Sequence, residues 1–196
     1  MESLYGALKF LHILSFVFMS IPLFNLIVVN ERAVMGGGFV YATDRYMENI
    51  IRRGATRCFI FQTSVLVTGV LLLLVGPLGI GALWQSWVVL TKTMLLVLLM
   101  GLLSYVHFGL QPKIEAHMAA VSPDAPAPEN LAATLKPYRF RRKRLATFCL
   151  FIVITTIILG LQVYGRFTPA LNLVLIGLAA VFSWRANKTL MRFGWV

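Results

Sequence analysis

The sequence predicts an all-α integral membrane bundle of about five transmembrane helices, a four-helix core plus a shorter fifth. Three observations predict it. Apolar residues make up 59% of the chain and charged residues 13%, against roughly 45–50% and 25% in soluble domains. The mean hydropathy is +0.81. The Lys and Arg residues fall in alternate connections between apolar runs, which is the positive-inside pattern. A chain of 196 residues is then one transmembrane domain, 1–196. The formal charge of +11 would suggest nucleic acid in a soluble protein. Here the cations sit in short connections, so no nucleic-acid partner is expected.

The first apolar run is Gly6 to Val29, interrupted by Lys9, His12, Pro22 and Asn25. It is too long for a signal-peptide core and no small-residue cleavage site follows, so it is expected to stay as a helix. The second runs from Arg57 to Leu74 and breaks at Gly76-Pro77, and the third runs from Trp87 to Leu110. The fourth covers Leu145 to Tyr164, and the fifth, Pro169 to Trp184, is the shortest. A span needs about 20 apolar residues, with a lower limit near 17, so the fifth is marginal.

The charges orient these runs. Loop one, Asn30 to Thr56, carries Arg32, Arg45, Arg52 and Arg53, whereas Val75 to Ser86 carries no Lys or Arg. Gln111 to Arg144 carries Lys113, Lys136, Arg139, Arg141, Arg142, Lys143 and Arg144; the next connection has only Arg166. The tail adds Arg185, Lys188 and Arg192. A multi-pass protein of the cell inner membrane is expected, N-terminus outside and C-terminus cytoplasmic. Trp84 and Trp87 then lie at the outer interface. Residues 111–144 read as a basic cytoplasmic loop with a Pro/Ala linker, 122–128, and a helical turn or two between Pro128 and Leu135. Gly36-Gly37-Gly38 is a connector, because no GK[ST] follows and no strand precedes it. Cys58 and Cys149, read as near cytoplasmic helix ends, are expected to be buried thiols rather than a disulfide.

Ionisable groups in hydrocarbon are costly, so each needs an account. All seven Asp and Glu lie outside the apolar runs. A carboxylate proton relay is therefore not expected, nor is a Mg or Ca site inside the bundle. His12, Lys92 and His107 remain. His12 and Lys92 each lie a little inside the outer end of a helix running outside to inside, so they share a depth, and Gln162 falls in the same layer. His107 is fifteen residues beyond Lys92, about 22 Å along a helix, so His12 and His107 cannot be two axial ligands of one metal. Met19 is about 10 Å from His12 along the axis, too far to share its iron. Two plainer readings stand beside these: Lys92 snorkelling to headgroups and His107 as an interfacial imidazole.

The opening LKFLHILSFVF, with Lys9 and His12 as its K-x-x-H, resembles the first helix of the HemJ/CopD-like superfamily. The third run, with Trp87, Lys92, Tyr105 and His107, is similar to the HemJ helix that opens on Trp and an intramembrane Lys and ends on Tyr and His. The Arg-led second run fits as well, and the resemblance covers about the first 110 residues. Where that family has Asn-Glu-x-Pro entering its last helix, this chain has Arg142-Lys143-Arg144-Leu145. The resemblance implies haem b, with His12 as metal ligand, His107 as a cofactor-binding candidate and Lys92 as the catalytic residue of a protoporphyrinogen IX oxidase-like activity or of membrane electron transfer. A tetrapyrrole and the lipid bilayer are the implied partners, with a homo-oligomer or a larger complex around the chain. Two other classes stay open: a non-catalytic accessory subunit of a membrane complex, and a copper or small-solute permease, for which Met19, Met94, Met100 and Met118 form no evident ladder.

Overall fold

In the computed structural model the described residues are 2–34, 39–121, 128, 130–163, 165 and 167–190. The glycine run Gly36 to Gly38, residues 122–127 of the linker, Arg166 and Arg192 lie outside them. The elements are α1 (Glu2–Asn30), a 3-10 turn (Glu31–Ala33), α2 (Tyr41–Val75), a one-turn α3 (Ala82–Gln85) and α4 (Trp87–Ser104). A wide π turn (Tyr105–Leu110), α5 (Gln111–Ala119), α6 (Leu131–Leu161) and α7 (Pro169–Lys188) complete the chain.

Five stretches are long and apolar enough to cross a membrane: Glu2–Ala33, Tyr41–Val75, Trp87–Ala119, Leu131–Leu161 and Pro169–Lys188. The chain is a multi-pass, all-α membrane bundle. Helix α1 packs on α2 and α6, and α4 packs on the same two, closing a four-helix ring. The shorter α7 lies outside it against α6. Thr168 caps α7 by accepting from the Leu171 amide, with Pro169 at the first helical position. The ring encloses Met19, Leu23, Ile27, Val65, Leu96, Leu99, Leu150 and Val153. The outer faces carry exposed Phe10, Ile13, Val67, Met94 and Leu173, as a lipid-facing bundle requires.

The helices run well past the apolar stretches. Helix α2 has 35 residues, about 52 Å at 1.5 Å per residue, where hydrocarbon needs about 30 Å. Its first turns come from the expected loop one. The expected loop 111–144 is helical as far as Ala119 and again from Leu131. Arg, Lys, Leu and Ala are good helix formers, so loss of apolarity does not end a helix. Cys58 and Cys149 therefore lie within long helices, not near their ends, and both are free. The projecting turns enclose a second small core of Ile114, Met118, Val121, Leu131 and Leu135, with Phe39, Tyr41 and Tyr138 against it.

Two local features set the helix register. Pro112 has no N–H for the carbonyl four residues back, and its ring crowds that carbonyl. The π turn Tyr105–Leu110 lies immediately before it and takes up the mismatch. At the opposite end, a Cβ on Gly76 would stand 2.6 Å from the Tyr5 ring. Glycine there lets the start of α1 close against the end of α2.

Candidate functional site

His12 sits half-buried on α1, facing α2. Its Nδ1 is 2.9 Å from Thr68 Oγ1, and a Cβ on Gly69 would stand 3.3 Å from its Cε1. The hydrogen-bond chain fixes the tautomer. Thr68 Oγ1 is 2.6 Å from the Ser64 carbonyl, which can only accept, so the hydroxyl proton goes there. The hydroxyl oxygen is left as an acceptor, and Nδ1 must donate to it. In the neutral imidazole the lone pair is then on Nε2. A metal-ligating His is commonly held this way, one nitrogen donating to a supporting group and the other free.

Lys92 on α4 lies within electrostatic range of His12. The shared depth read from the sequence therefore corresponds to proximity in the bundle. Among the described residues Lys92 forms no ion pair. Its ammonium lies over Gly160, where a Cβ would be 3.5 Å from Nζ. Gly160 is in the last turn of α6, which ends at Leu161. A helix C-terminus carries partial negative charge on its unpaired carbonyls, so the ammonium is favourably placed with no carboxylate present. Gln162 is not in this group. It exchanges two hydrogen bonds with Asn172, at 2.7 and 3.0 Å, and so ties α7 to α6.

His107 lies in the π turn with its ring edge-on to Phe108 at 4.8 Å and to Phe59 at 5.8 Å between centroids. Its Nδ1 is buried and has no partner among the described residues. His12 touches Thr68 and His107 touches Phe59, nine residues apart on α2, so the two imidazoles are separated by about 14 Å along that helix. Among the described residues no three His, Cys, Asp or Glu side chains gather as a metal cluster. A cavity of about 50 Å³ lies around the level of His107 and on its basic side, lined by Met19, Cys58, Gln62, Leu99, Cys149 and Val153 among others, but by neither imidazole nor Lys92.

The residues that sequence reasoning missed are at the basic end, before the apolar run of α2 begins. Arg142, fully buried, donates through Nη1 and Nη2 to the two oxygens of Glu48 at 2.7 and 2.9 Å. It also donates to Asn30 Oδ1 at 3.0 Å and to Gln111 Oε1 at 2.6 Å. Arg139 bridges Asp44 at 2.7 Å and Glu48 at 3.2 Å. Arg32 reaches Asp44 at 3.2 Å, and the Val40 amide donates to the same carboxylate at 2.9 Å. Burial alone would raise the Glu48 carboxyl's pKa; bonding to Arg142, then the charge of Arg139 and the Gln111 amide, outweigh this and hold it below the usual value. Asp44 is likewise raised by burial and lowered, on balance, by Arg32, the Val40 amide and Arg139. The signal was present as spacing: Asp44 and Glu48 four apart, Arg139 and Arg142 three apart, each pair on one helix face. It was invisible while both segments were read as loops.

No protein-family model, curated protein or solved structure matches this chain.

Proposed function

We propose that this chain is an inner-membrane protein of the HemJ/CopD type that holds haem b, or a related tetrapyrrole, at the His12–Lys92 layer, with its N-terminus outside and its C-terminus cytoplasmic. The observation that carries the reading is the imidazole of His12: Thr68 engages Nδ1, and the tautomer this favours puts the lone pair on Nε2. That nitrogen is the donor a haem iron takes. Lys92 supplies an ammonium within electrostatic range of it, suited to a propionate or substrate carboxylate. The donors fit the group. Room does not come from the described cavity, whose 50 Å³ falls below the roughly 300–1,000 Å³ of a ligand pocket. His12 is only half-buried, which suits a tetrapyrrole at the bundle surface, against lipid or a second copy. When bound, the cofactor supplies the redox chemistry, porphyrinogen oxidation or electron transfer. The chain's part is to fix the ligand tautomer and place one positive charge in a medium where it is felt strongly. His107, about 14 Å away along α2, stands outside this site.

An absorption spectrum of the detergent-purified protein from haem-replete cells is the test. A b-type Soret band lost in His12→Ala and kept in His107→Ala is expected. A colourless wild-type protein would sink the reading and promote a non-catalytic accessory subunit. The orientation has its own test, tag accessibility in sealed vesicles, which a cytoplasmic N-terminus would overturn. A second reading, a copper or small-solute permease, draws on Met19, Cys58 and Cys149 lining one cavity, since soft cations prefer sulfur.

A further inference from the structure

The basic end holds its charges in two layers. Glu31, Asp44 and Glu48 are buried, at 4%, 0% and 2% exposure. They are taken up by Lys143, Arg32, Arg139 and Arg142. Arg52, Arg53, Arg57, Arg141, Arg144 and Arg185 remain exposed. The remaining described carboxylate of that end, Glu115, is half-buried and accepts from Gln111.

Two of the exposed cations are held in place. The Arg141 guanidinium lies over the Tyr105 ring, 5.3 Å from its centroid, and that of Arg144 lies over Phe140 at 4.6 Å. They are three residues apart on α6, so they share a face. They stand where α6 enters its apolar run at Leu145. Tyr105, beneath Arg141, is itself 41% exposed, and one turn beyond Arg144, towards the apolar part, the same face of α6 offers Phe148 at 47%. Stacking fixes a guanidinium plane while leaving its N–H fork free for phosphate oxygens.

We propose that Arg141 and Arg144 form a binding site for one anionic phospholipid of the leaflet at the basic end. The two guanidinium groups take the phosphate, and an acyl chain runs down past Phe148. Charge complementarity names the occupant: two cations with no carboxylate paired to them among the described residues, directly above exposed Phe148, match an anionic head on an apolar tail. A basic pocket between transmembrane helices at the headgroup level is a recurrent anionic-lipid site. The site does not depend on what His12 binds.

The test is lipid retention by the full chain, read by native mass spectrometry after detergent exchange from mixed phosphatidylglycerol and phosphatidylcholine vesicles. One phosphatidylglycerol retained over phosphatidylcholine is expected, with affinity falling roughly tenfold to thirtyfold in Arg141→Gln/Arg144→Gln. Both residues are exposed, so folding is not at stake. Arg52→Gln/Arg53→Gln, which removes two exposed cations elsewhere, should change retention less than threefold. Equal retention of the two lipids, an unchanged double variant, an equal loss in the control pair, or displacement by millimolar inorganic phosphate would each overturn the proposal.

Discussion

The two ends of the bundle handle polar groups in opposite ways. At the basic end, Asp44, Glu48, Arg32, Arg139, Arg142, Asn30 and Gln111 join α1, α2, α5 and α6 in one buried network. Its carboxylates are paired, and it stands on its own small core. At the other end His12 and Lys92 are few, half-buried and only partly satisfied: one imidazole nitrogen bonded, one ammonium over a helix terminus. The region richest in charge is built to hold helices together. The region poorest in charge keeps donors available. Counting ionisable residues would point to the end opposite the proposed site.

Breaking the network is expected to give the largest effect. Arg142→Met leaves Glu48 buried without its main partner and should cost about 3–5 kcal/mol, read as a drop in thermal unfolding temperature in detergent. Stability within 1 kcal/mol of the parent would mean that the cap contributes little to holding the helices. His12→Ala should do the converse: remove the Soret band while leaving the unfolding temperature nearly unchanged. A large loss of stability there would make His12 a packing residue.

Lys92 sharpens the comparison because two roles compete for it. If the ammonium only neutralises the end of α6, Lys92→Met should cost about 0.3–1 kcal/mol of stability and leave cofactor retention intact. If it also holds a carboxylate beside His12, retention should fall by two to four decades, about 3–5 kcal/mol, and Lys92→Arg should restore only part of it. Retention measured in all three proteins separates the two.

Acid should act on the basic end through its carboxylates. The folded-state pKa values of Glu48 and Asp44 lie below their unfolded values. Their stabilisation is therefore fully present above the unfolded carboxylate range, near pH 4–4.5, and is lost as pH falls through the folded values. Unfolding temperature followed from pH 7 to pH 3 should drop below about pH 4.5, and Glu48→Gln should flatten that drop. A wild-type profile without a fall would contradict the pairing. A smaller effect is expected at Gly69→Ala. The new Cβ would press on Cε1 of His12 at 3.3 Å, so a shifted Soret maximum with little change in stability is the outcome to seek. Gly160→Ala, with 3.5 Å to Lys92 Nζ, should be close to silent.

The membrane-crossing part was legible because hydrocarbon selects for apolar side chains over a fixed length. Gly6 to Val29 and Arg57 to Leu74 mark that length well. Helix ends were not legible from the same signal. Apolarity reports where lipid stops, and α2 and α6 continue as charged helix beyond it. The depth of His12 and Lys92 followed from counting residues along two parallel helices. Their partners did not follow, because Thr68, Gly69 and Gly160 come into contact through the rotation of neighbouring helices about their axes, which one helix's spacing leaves undetermined. Gln162 shows the point: its level was read from the sequence, but its amide turned towards Asn172.

The π turn at Tyr105–Leu110 works as a phase shifter between two lattices. It fits one more residue into its turn than an α-helix holds. A chain shorter by one residue within that turn would relax to ordinary α geometry with little change of phase, whereas one more residue would swing everything after it by about 100° round the axis. Gln111 would turn away from Glu48 and Arg142, and Ile114 and Met118 would leave their buried seats. The rod would still span the bilayer, with its apolar half in register and its cap out of it. In this stretch a one-residue insertion is thus more disruptive than a one-residue deletion or most substitutions, and the cap's assembly is timed by a residue count made inside the membrane-crossing helix.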